Sequence, residues 1–246
     1  MSLVGTLANL LYPPACLLCR APLPSRESHD HPSAGALCSA CCRRMPRIDP
    51  PVCSRCGLGL RGAFDAHWLC ATCQTEPLSF DLARAPWWYH GPAQEAICQF
   101  KYSRRWRLGD SLAQDMAAVA RASLPLETVD AILPVPLHWL KRRLKGFHPP
   151  AYLAAALARG LDKPYLASAL HRTRWTRTQT ALRGRERFRN VEGAFRARPA
   201  LIAERTVLLV DDVLTSGATA NACARTLKAA GARRVFLLTA ARTPLK

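Results

Sequence analysis

Residues 207–219 constrain the fold more tightly than any other stretch. Four apolar residues, Val207-Leu208-Leu209-Val210, lead into two carboxylates, Asp211 and Asp212, and then into Val213-Leu214 and a small polar turn, Thr215-Ser216-Gly217-Ala218-Thr219. An unbroken β-branched and leucine run suits a strand covered on both faces, because a strand with one wet face would alternate. The Ala- and Leu-rich stretch from Ala218 to Ala230 suits a helix that starts where the turn ends. Gly217 permits close backbone approach to a ligand, and the Thr215, Ser216 and Thr219 hydroxyls join the free N–H groups of the helix start in aiming donors at one point. Such a point takes an anion. The two carboxylates only accept hydrogen bonds, so they call for hydroxyl donors or a hydrated Mg²⁺. A sugar 5′-phosphate satisfies both halves. The bland alternative is a Rossmann-like or response-regulator-like strand end, which gives no reason for Thr-Ser-Gly-x-Thr directly after the acids.

Cysteine sets the first third of the chain. Nine of the eleven cysteines precede Gln74, and they include four C-x-x-C pairs: Cys16/Cys19, Cys38/Cys41, Cys53/Cys56 and Cys70/Cys73. Each pair grips one side of a tetrahedral metal, so eight thiolates predict two structural Zn²⁺, and the 18 residues between Cys19 and Cys38 fit zinc-ribbon spacing. A disulfide framework would need an oxidising compartment; Met1 to Leu11 is apolar but lacks the basic region of a signal peptide. Sequential pairing, first with second and third with fourth, is preferred to a cross-brace. Cys41 and its neighbour Cys42 are both candidate ligands, while His29, His31 and His67 read as loop residues. So short a segment, rich in Pro and Gly, buries little core, so metal must supply its folding energy, on the order of 10 kcal/mol or more per site. Residues 1–78 are therefore expected to form a Cys-rich module and residues 79–246 an α/β domain. Cys98 and Cys223 read as small buried thiols.

Hydrophobic residues make up 49% of the 246, enough for a core, and no apolar run approaches the roughly 20 residues that span a bilayer. The net charge of +18 is uneven: Lys141 to Arg198 carries 15 Lys/Arg against 3 Asp/Glu, or +12 in 58 residues. Such asymmetry predicts an acidic partner, namely pyrophosphate, nucleic acid or an anionic membrane face, against the alternative of a solvated surface. The arginine bias favours phosphate oxygens, which a planar fork matches better than an ammonium does. Arg183, Arg185, Arg187 and Arg189 are the candidate contacts to a nucleic-acid backbone.

Between these landmarks the aromatic stretch Trp87, Trp88, Tyr89, Ile97, Phe100, Tyr102 and Trp106 reads mostly as core, with Lys101, Tyr102, Arg104, Arg105 and Arg107 available for phosphate or base stacking. Leu108 to Ala122 reads as an amphipathic helix. The run from Val129 begins as a strand, which Pro134 and Pro136 stop in a rigid loop. Lys141, Arg142, Arg143, Lys145 and Gly146-Phe147 follow, then a helix from Pro150 to Arg159. Arg172 to Phe195, which contains Arg174, Gln179 and Arg187, is too polar and basic for a core and reads as a mobile lid. Val235 to Ala240 gives a last strand, so an α/β domain with a mainly parallel sheet is expected, its ligand at the strands' carboxyl ends.

The strand, the acidic pair and the Leu-Thr-Ser-Gly-Ala-Thr loop resemble the phosphoribosyl pyrophosphate (PRPP) loop of type I phosphoribosyltransferases. That resemblance implies that Asp211 and Asp212 hold the ribose hydroxyls as the catalytic acids, and that Leu214, Thr215, Ser216, Gly217, Ala218 and Thr219 hold the 5′-phosphate. It implies that Pro134, Val135, Pro136 and Leu137, with Arg143, Lys145 and the lid, cradle pyrophosphate, with Mg²⁺ alongside. Taken with Lys145-Gly146-Phe147, the basic stretch and the Cys-rich front, the whole chain resembles the ComF family of bacterial competence proteins. The family implies a type I phosphoribosyltransferase-like fold behind an N-terminal double zinc ribbon. It also implies a cytoplasmic role in DNA uptake, single-stranded DNA as a partner, and a DNA-uptake helicase or translocase nearby. One departure matters: the family's Gly-Phe-Asn-Gln is here Gly146-Phe147-His148-Pro149-Pro150, so no role of the Asn and Gln carries over. Two classes of function follow: a DNA-uptake factor with a PRPP-binding pocket, or an active phosphoribosyltransferase whose Mg²⁺ and cations stabilise the departing pyrophosphate.

Overall fold

The computed structural model describes residues 14–23, 36–60, 62, 67–76, 78–103, 105–176 and 185–244. In chain order its elements begin with two short helices of the Cys-rich front, α1 (Ser39–Arg44) and α2 (Ala71–Thr75), followed by the short strands β1 (Leu82–Arg84) and β2 (Trp87–Trp88). Next come α3 (Gly91–Ser103), α4 (Trp106–Ser123), β3 (Ala131–Pro134), α5 (Trp139–Lys145) and α6 (Pro149–Gly160). A second, two-stranded sheet is made by β4 (Leu170–Arg172) and β5 (Phe195–Ala197), with α7 (Arg185–Val191) between them and α8 (Pro199–Ile202) after them. The chain closes with β6 (Thr206–Leu214), α9 (Ala218–Ala229) and β7 (Arg234–Arg242).

The main sheet has the order β1-β7-β6-β3, with β2 also on β7, and every pairing in it is parallel. Alternation explains why β6 and β7 read as unbroken apolar runs. Leu208, Val210, Phe236 and Leu238 bury on one face against α4 and α6, while Val207, Leu209, Val235 and Leu237 bury on the other against α9. On α4, Leu108, Leu112, Met116 and Ala120 recur every fourth residue and are buried, which is the stripe a helix needs to cover a sheet. Pro134 ends β3, whose outer edge is covered where Ile132 N–H donates to Pro164 O at 2.8 Å and Leu166 N–H to Ile132 O at 2.9 Å.

The Cys-rich front straddles the β1 edge of this sheet. Cys16, Leu37, Cys41, Cys42 and Met45 join the core on the α4/α6 face, and Cys53, Cys56, Leu58, Cys70 and Cys73 join the core on the α9 face.

The aromatic stretch is mostly core, as expected: Trp87, Ile97 and Phe100 are buried and Trp88 and Tyr89 pack against the core, while Tyr102 at the end of α3 and Trp106 at the start of α4 are exposed. One expectation is corrected. The basic stretch from Arg172 to Phe195 is not too polar for a core. Its described parts form β4, α7 and the start of β5, and they bury Val191, Ala194 and Phe195. Apolar residues spaced among the arginines are enough to anchor it, with Arg174 and Arg189 keeping their side chains exposed. Cys223 is buried as expected, whereas Cys98 is half-buried, with its Sγ 3.4 Å from the Tyr89 hydroxyl.

Candidate functional site

A cavity of about 340 Å³ opens at the carboxyl ends of β3 and β6, where a parallel sheet leaves a crevice for ligands. One wall is the end of β6 and the turn into α9: Asp211, Asp212, Leu214, Thr215, Gly217, Ala218 and Thr219 all line it. Gly217 has φ +77° and caps α9, a left-handed conformation that glycine adopts without the Cβ clash other residues meet. Ser216 does not face the cavity; its Oγ accepts from Ala218 N–H at 3.5 Å and so helps start the helix. The loop after β3 supplies Val135, Pro136 and Leu137, while Pro134 remains within the strand. Phe147, His148, Pro149 and Pro150 close the apolar side, and His148 Nε2 lies 3.0 Å from Val135 O. The residues standing in place of Asn and Gln therefore still wall the cavity, with the imidazole tied to the β3 loop.

Two cations reach the acids from distant elements. Lys101, from the last turn of α3, places Nζ 2.8 Å from Asp212 Oδ1, both side chains being largely buried. Burial pulls the Lys101 ammonium down, but the charge and hydrogen bond of Asp212, with the Asp211 charge, together outweigh it and hold the pKa above the usual value. Arg172, at the end of β4, lines the cavity and donates to Thr176 Oγ1, with its guanidinium 5.4 Å from the Phe195 ring. Asp211 accepts from Asp212 N–H at 2.8 Å. Burial first, and the Asp212 charge second, push its carboxyl up to about 8. The pocket thus holds a carboxyl reluctant to ionise beside one already paired, with two cations in range.

Not every expected residue is brought here. Arg143 is exposed on α5 and does not line the cavity. Arg174 points elsewhere too: it donates to Asn190 O at 3.2 Å and Glu192 O at 2.6 Å, capping the carbonyl end of α7, a pairing cations favour. Arg189 is exposed on α7. Gln179 and Arg183 lie outside the described residues, as do the side chains of Lys145, Arg185 and Arg187. The pairing of Lys101 with Asp212 was missed, although Ala93, Ala96, Ile97 and Phe100 recur at i, i+3, i+4 and i+7 and so mark α3 as a helix ending near Lys101.

The cysteines assemble into two centres, Cys16/Cys19/Cys38/Cys41 and Cys53/Cys56/Cys70/Cys73, each with its Sγ atoms within 4.8 Å of one another. Pairing is sequential, and Cys41 rather than Cys42 is the ligand. His67 belongs to neither centre. Four thiols converging in this way fit tetrahedral Zn²⁺. These are zinc-binding sites of a structural kind, closed by four protein ligands.

Among the described residues no helix is long and apolar enough to cross a membrane. Residues 7–74 match the double zinc ribbon domain family. Among solved structures, a glutamine PRPP amidotransferase from B. subtilis aligns with 57% of this chain and 30% of its own, at 17% identity and a TM-score of 0.40. Competence protein F of Haemophilus influenzae is 28% identical over 89% of this chain and 93% of its own. DNA utilization protein YhgH of Shigella flexneri is 32% identical over 237 residues, 95% of this chain and 99% of that one. With that identity sustained along almost the full length of both, a double zinc ribbon in front and a parallel α/β sheet behind, the chain belongs to the ComF family of competence and DNA-utilization proteins.

Proposed function

We propose that the cavity binds PRPP or a related ribose phosphate with Mg²⁺, in a cytoplasmic protein that handles single-stranded DNA. The observation that carries this reading is the convergence of Asp211, Asp212 and the Thr215–Thr219 turn at the carboxyl end of β6. The 5′-phosphate sits on the turn and the amino end of α9, where N–H groups and the helix dipole attract an anion. The ribose hydroxyls donate to Asp211 and Asp212, and the same carboxylates are the residues that would hold a hydrated Mg²⁺, which supplies charge for a pyrophosphate group. Lys101 and Arg172 offer the remaining positive charge. Calorimetry tests the reading: PRPP should bind only with Mg²⁺, and Asp212→Asn should weaken binding roughly 10-fold or more, the equivalent of about 1.5–3 kcal/mol for a charged hydrogen bond. Unchanged affinity in a folded variant refutes the assignment.

The DNA half of the proposal rests on charge and rings. Trp139 and Trp175 are 60% and 46% exposed, and both rings contact His138, at 5.8 and 5.4 Å between centroids. Trp175 lies within the stretch of net charge +12, and Trp139 is two residues before its start. Exposed rings among arginines are the composition of a single-strand surface, with bases stacking and phosphates paired.

The two cations in the cavity favour a second reading, an active phosphoribosyltransferase acting on an unidentified base or amine, in which Lys101 and Arg172 stabilise the leaving pyrophosphate. Pyrophosphate release from PRPP across a panel of acceptors, single-stranded DNA included, separates the two. Release dependent on one acceptor establishes turnover, and tight binding without release establishes a binding pocket.

A further inference from the structure

The second cysteine centre lies against β1 and β7, and β7 pairs with β6, whose end lines the cavity. All four cysteines of Cys53/Cys56/Cys70/Cys73 are buried, whereas in the first centre Cys19 is exposed and Cys38 half-buried. Zn²⁺ held by four thiolates carries a net charge of about −2, and a buried dianion needs compensation. Two arginines flank it, Arg84 half-buried and Arg242 buried. Arg84, the last residue of β1, donates from Nη1 to Ala83 O at 2.8 Å and to Ser54 O at 3.3 Å, within range of the Cys53 and Cys56 charges. Arg242, the last residue of β7, is 5% exposed and donates from Nη1 to the Cys56 carbonyl. The Nε atoms of both are buried and make no hydrogen bond with the described residues. Backbone carbonyls alone do not account for two guanidiniums in this place; a dianion between them does.

Of these two, Arg242 also borders the phosphate turn. Arg242 is the register partner of Leu214, and Thr243 N–H donates to Leu214 O at 2.9 Å. The Cys53–Cys56 knuckle is pressed on β1: Ala83 N–H donates to Arg55 O at 2.7 Å, and a Cβ on Gly57 would sit 2.4 Å from Ala83 O. Leaving the centre, the chain returns to the turn, where Ser79 N–H donates to Asn221 Oδ1 of α9 at 2.5 Å and Phe80 packs 4.0 Å from where a Cβ on Gly217 would be. The first centre meets the opposite face of the sheet, with Arg105 Nη1 donating to Leu17 O.

We propose that the Cys53/Cys56/Cys70/Cys73 centre is the buttress of the phosphate turn: Arg84 and Arg242 neutralise its zinc tetrathiolate, and Arg242, a positioning residue, ties its occupancy to the conformation of residues 214–219. The two zinc ions are therefore unequal. The first is more accessible and can be lost without disturbing the cavity, and the second cannot.

The test uses the full-length protein and reads zinc release to a colorimetric chelator alongside hydrogen exchange by mass spectrometry. In the wild type, the first equivalent should leave from the exposed centre with amide protection of residues 214–219 intact. The second should leave together with that protection, while β3 on the far edge stays protected. Arg242→Gln should release the second equivalent about tenfold faster, in line with the 10–100-fold effects of groups supporting a metal's ligands, and loosen residues 214–219. Cys19→Ser should lose one zinc and leave the turn as it was. Protection of the turn that survives loss of both ions, or that falls equally in Cys19→Ser, overturns the proposal. If Arg242→Gln does not fold, the wild-type release experiment decides alone. These readouts need no ligand. A final arm rests on the ribose-phosphate reading: PRPP binding should weaken in Arg242→Gln and not in Cys19→Ser. Failure of the wild type to bind PRPP would defeat that reading and leave the coupling of metal to turn standing.

Discussion

Asp211 shows a single residue giving up stability for a site. Its folded pKa of about 8 lies far above that of an unfolded aspartate, because burial and the neighbouring Asp212 both oppose its charge. Between about pH 4 and 8 the folded chain keeps a proton that the unfolded chain has lost, so the unfolded state binds fewer protons and stability falls as pH rises. Asp211→Asn removes this dependence while keeping an oxygen for the Asp212 N–H. In Mg²⁺-free buffer the variant should be the more stable, and its advantage should widen by about 1 kcal/mol per pH unit between pH 6 and 8. A thermal-melt gap that stays constant with pH would show that Asp211 is ionised throughout. Gly217 is the other residue with a conformational task. At φ +77° a Cβ would meet nothing closer than 3.7 Å, so space is not what excludes a side chain. Strain is. Gly217→Val should lower stability by roughly 1–3 kcal/mol through the left-handed backbone and abolish anion binding at the turn, as calorimetry with PRPP would read.

Elements differ in how much of themselves they wrote into the sequence. β6 was legible because both its faces are covered, so its apolar run is unbroken and its end is marked by the acids; α4, α6 and α9 were legible from their apolar stripes. β1 and β2, at 3 and 2 residues, are too short to show any period. The cysteine ligands could be read from local spacing, including their sequential pairing, yet that the two centres lie on opposite faces of the sheet is a tertiary fact that no local pattern carries. Lys101 on Asp212 is of the same kind, a contact between residues far apart in the chain. Gly109, on α4, illustrates packing that sequence alone conceals. A Cβ there would lie 2.4 Å from Phe100 Cε2 and 2.7 Å from Tyr152 Cε1, at the heart of an aromatic cluster in which Phe100 and Phe147 meet edge to face at 5.2 Å. Alanine is the better helix former by about 1 kcal/mol, but overpacking a filled core costs about 1–3 kcal/mol. Gly109→Ala should therefore be net destabilising, and because Phe147 also walls the cavity, it should weaken ligand binding as well. A raised melting temperature with unchanged binding would mean the rings move aside freely.

Over the whole molecule the charge is divided between two tasks. Lys101, Arg172, Arg84 and Arg242 are buried or half-buried and committed to carboxylates, the cavity or the zinc thiolates, while the excess between Lys141 and Arg198 includes cations such as Arg143, Arg189, Arg196 and Arg198, whose positions are exposed or half-exposed. Only the second group can meet a long polyanion. If four to six of its cations neutralise phosphates of a single strand, log affinity should fall against log salt with a slope of roughly −3 to −4. Replacing Arg183, Arg185, Arg187 and Arg189 by Ala should flatten that slope and leave the overall fold intact. Trp139→Ala with Trp175→Ala should act differently. Stacking on rings is worth about 1–3 kcal/mol per base and is not counterion release, so the pair should lower affinity at every salt concentration and leave the slope in place. Filter binding of an unstructured oligonucleotide at a series of salt concentrations distinguishes these outcomes. A wild type with no salt-sensitive binding would assign the basic stretch to pyrophosphate and solvent alone, and competition by PRPP would place the strand across the mouth of the cavity.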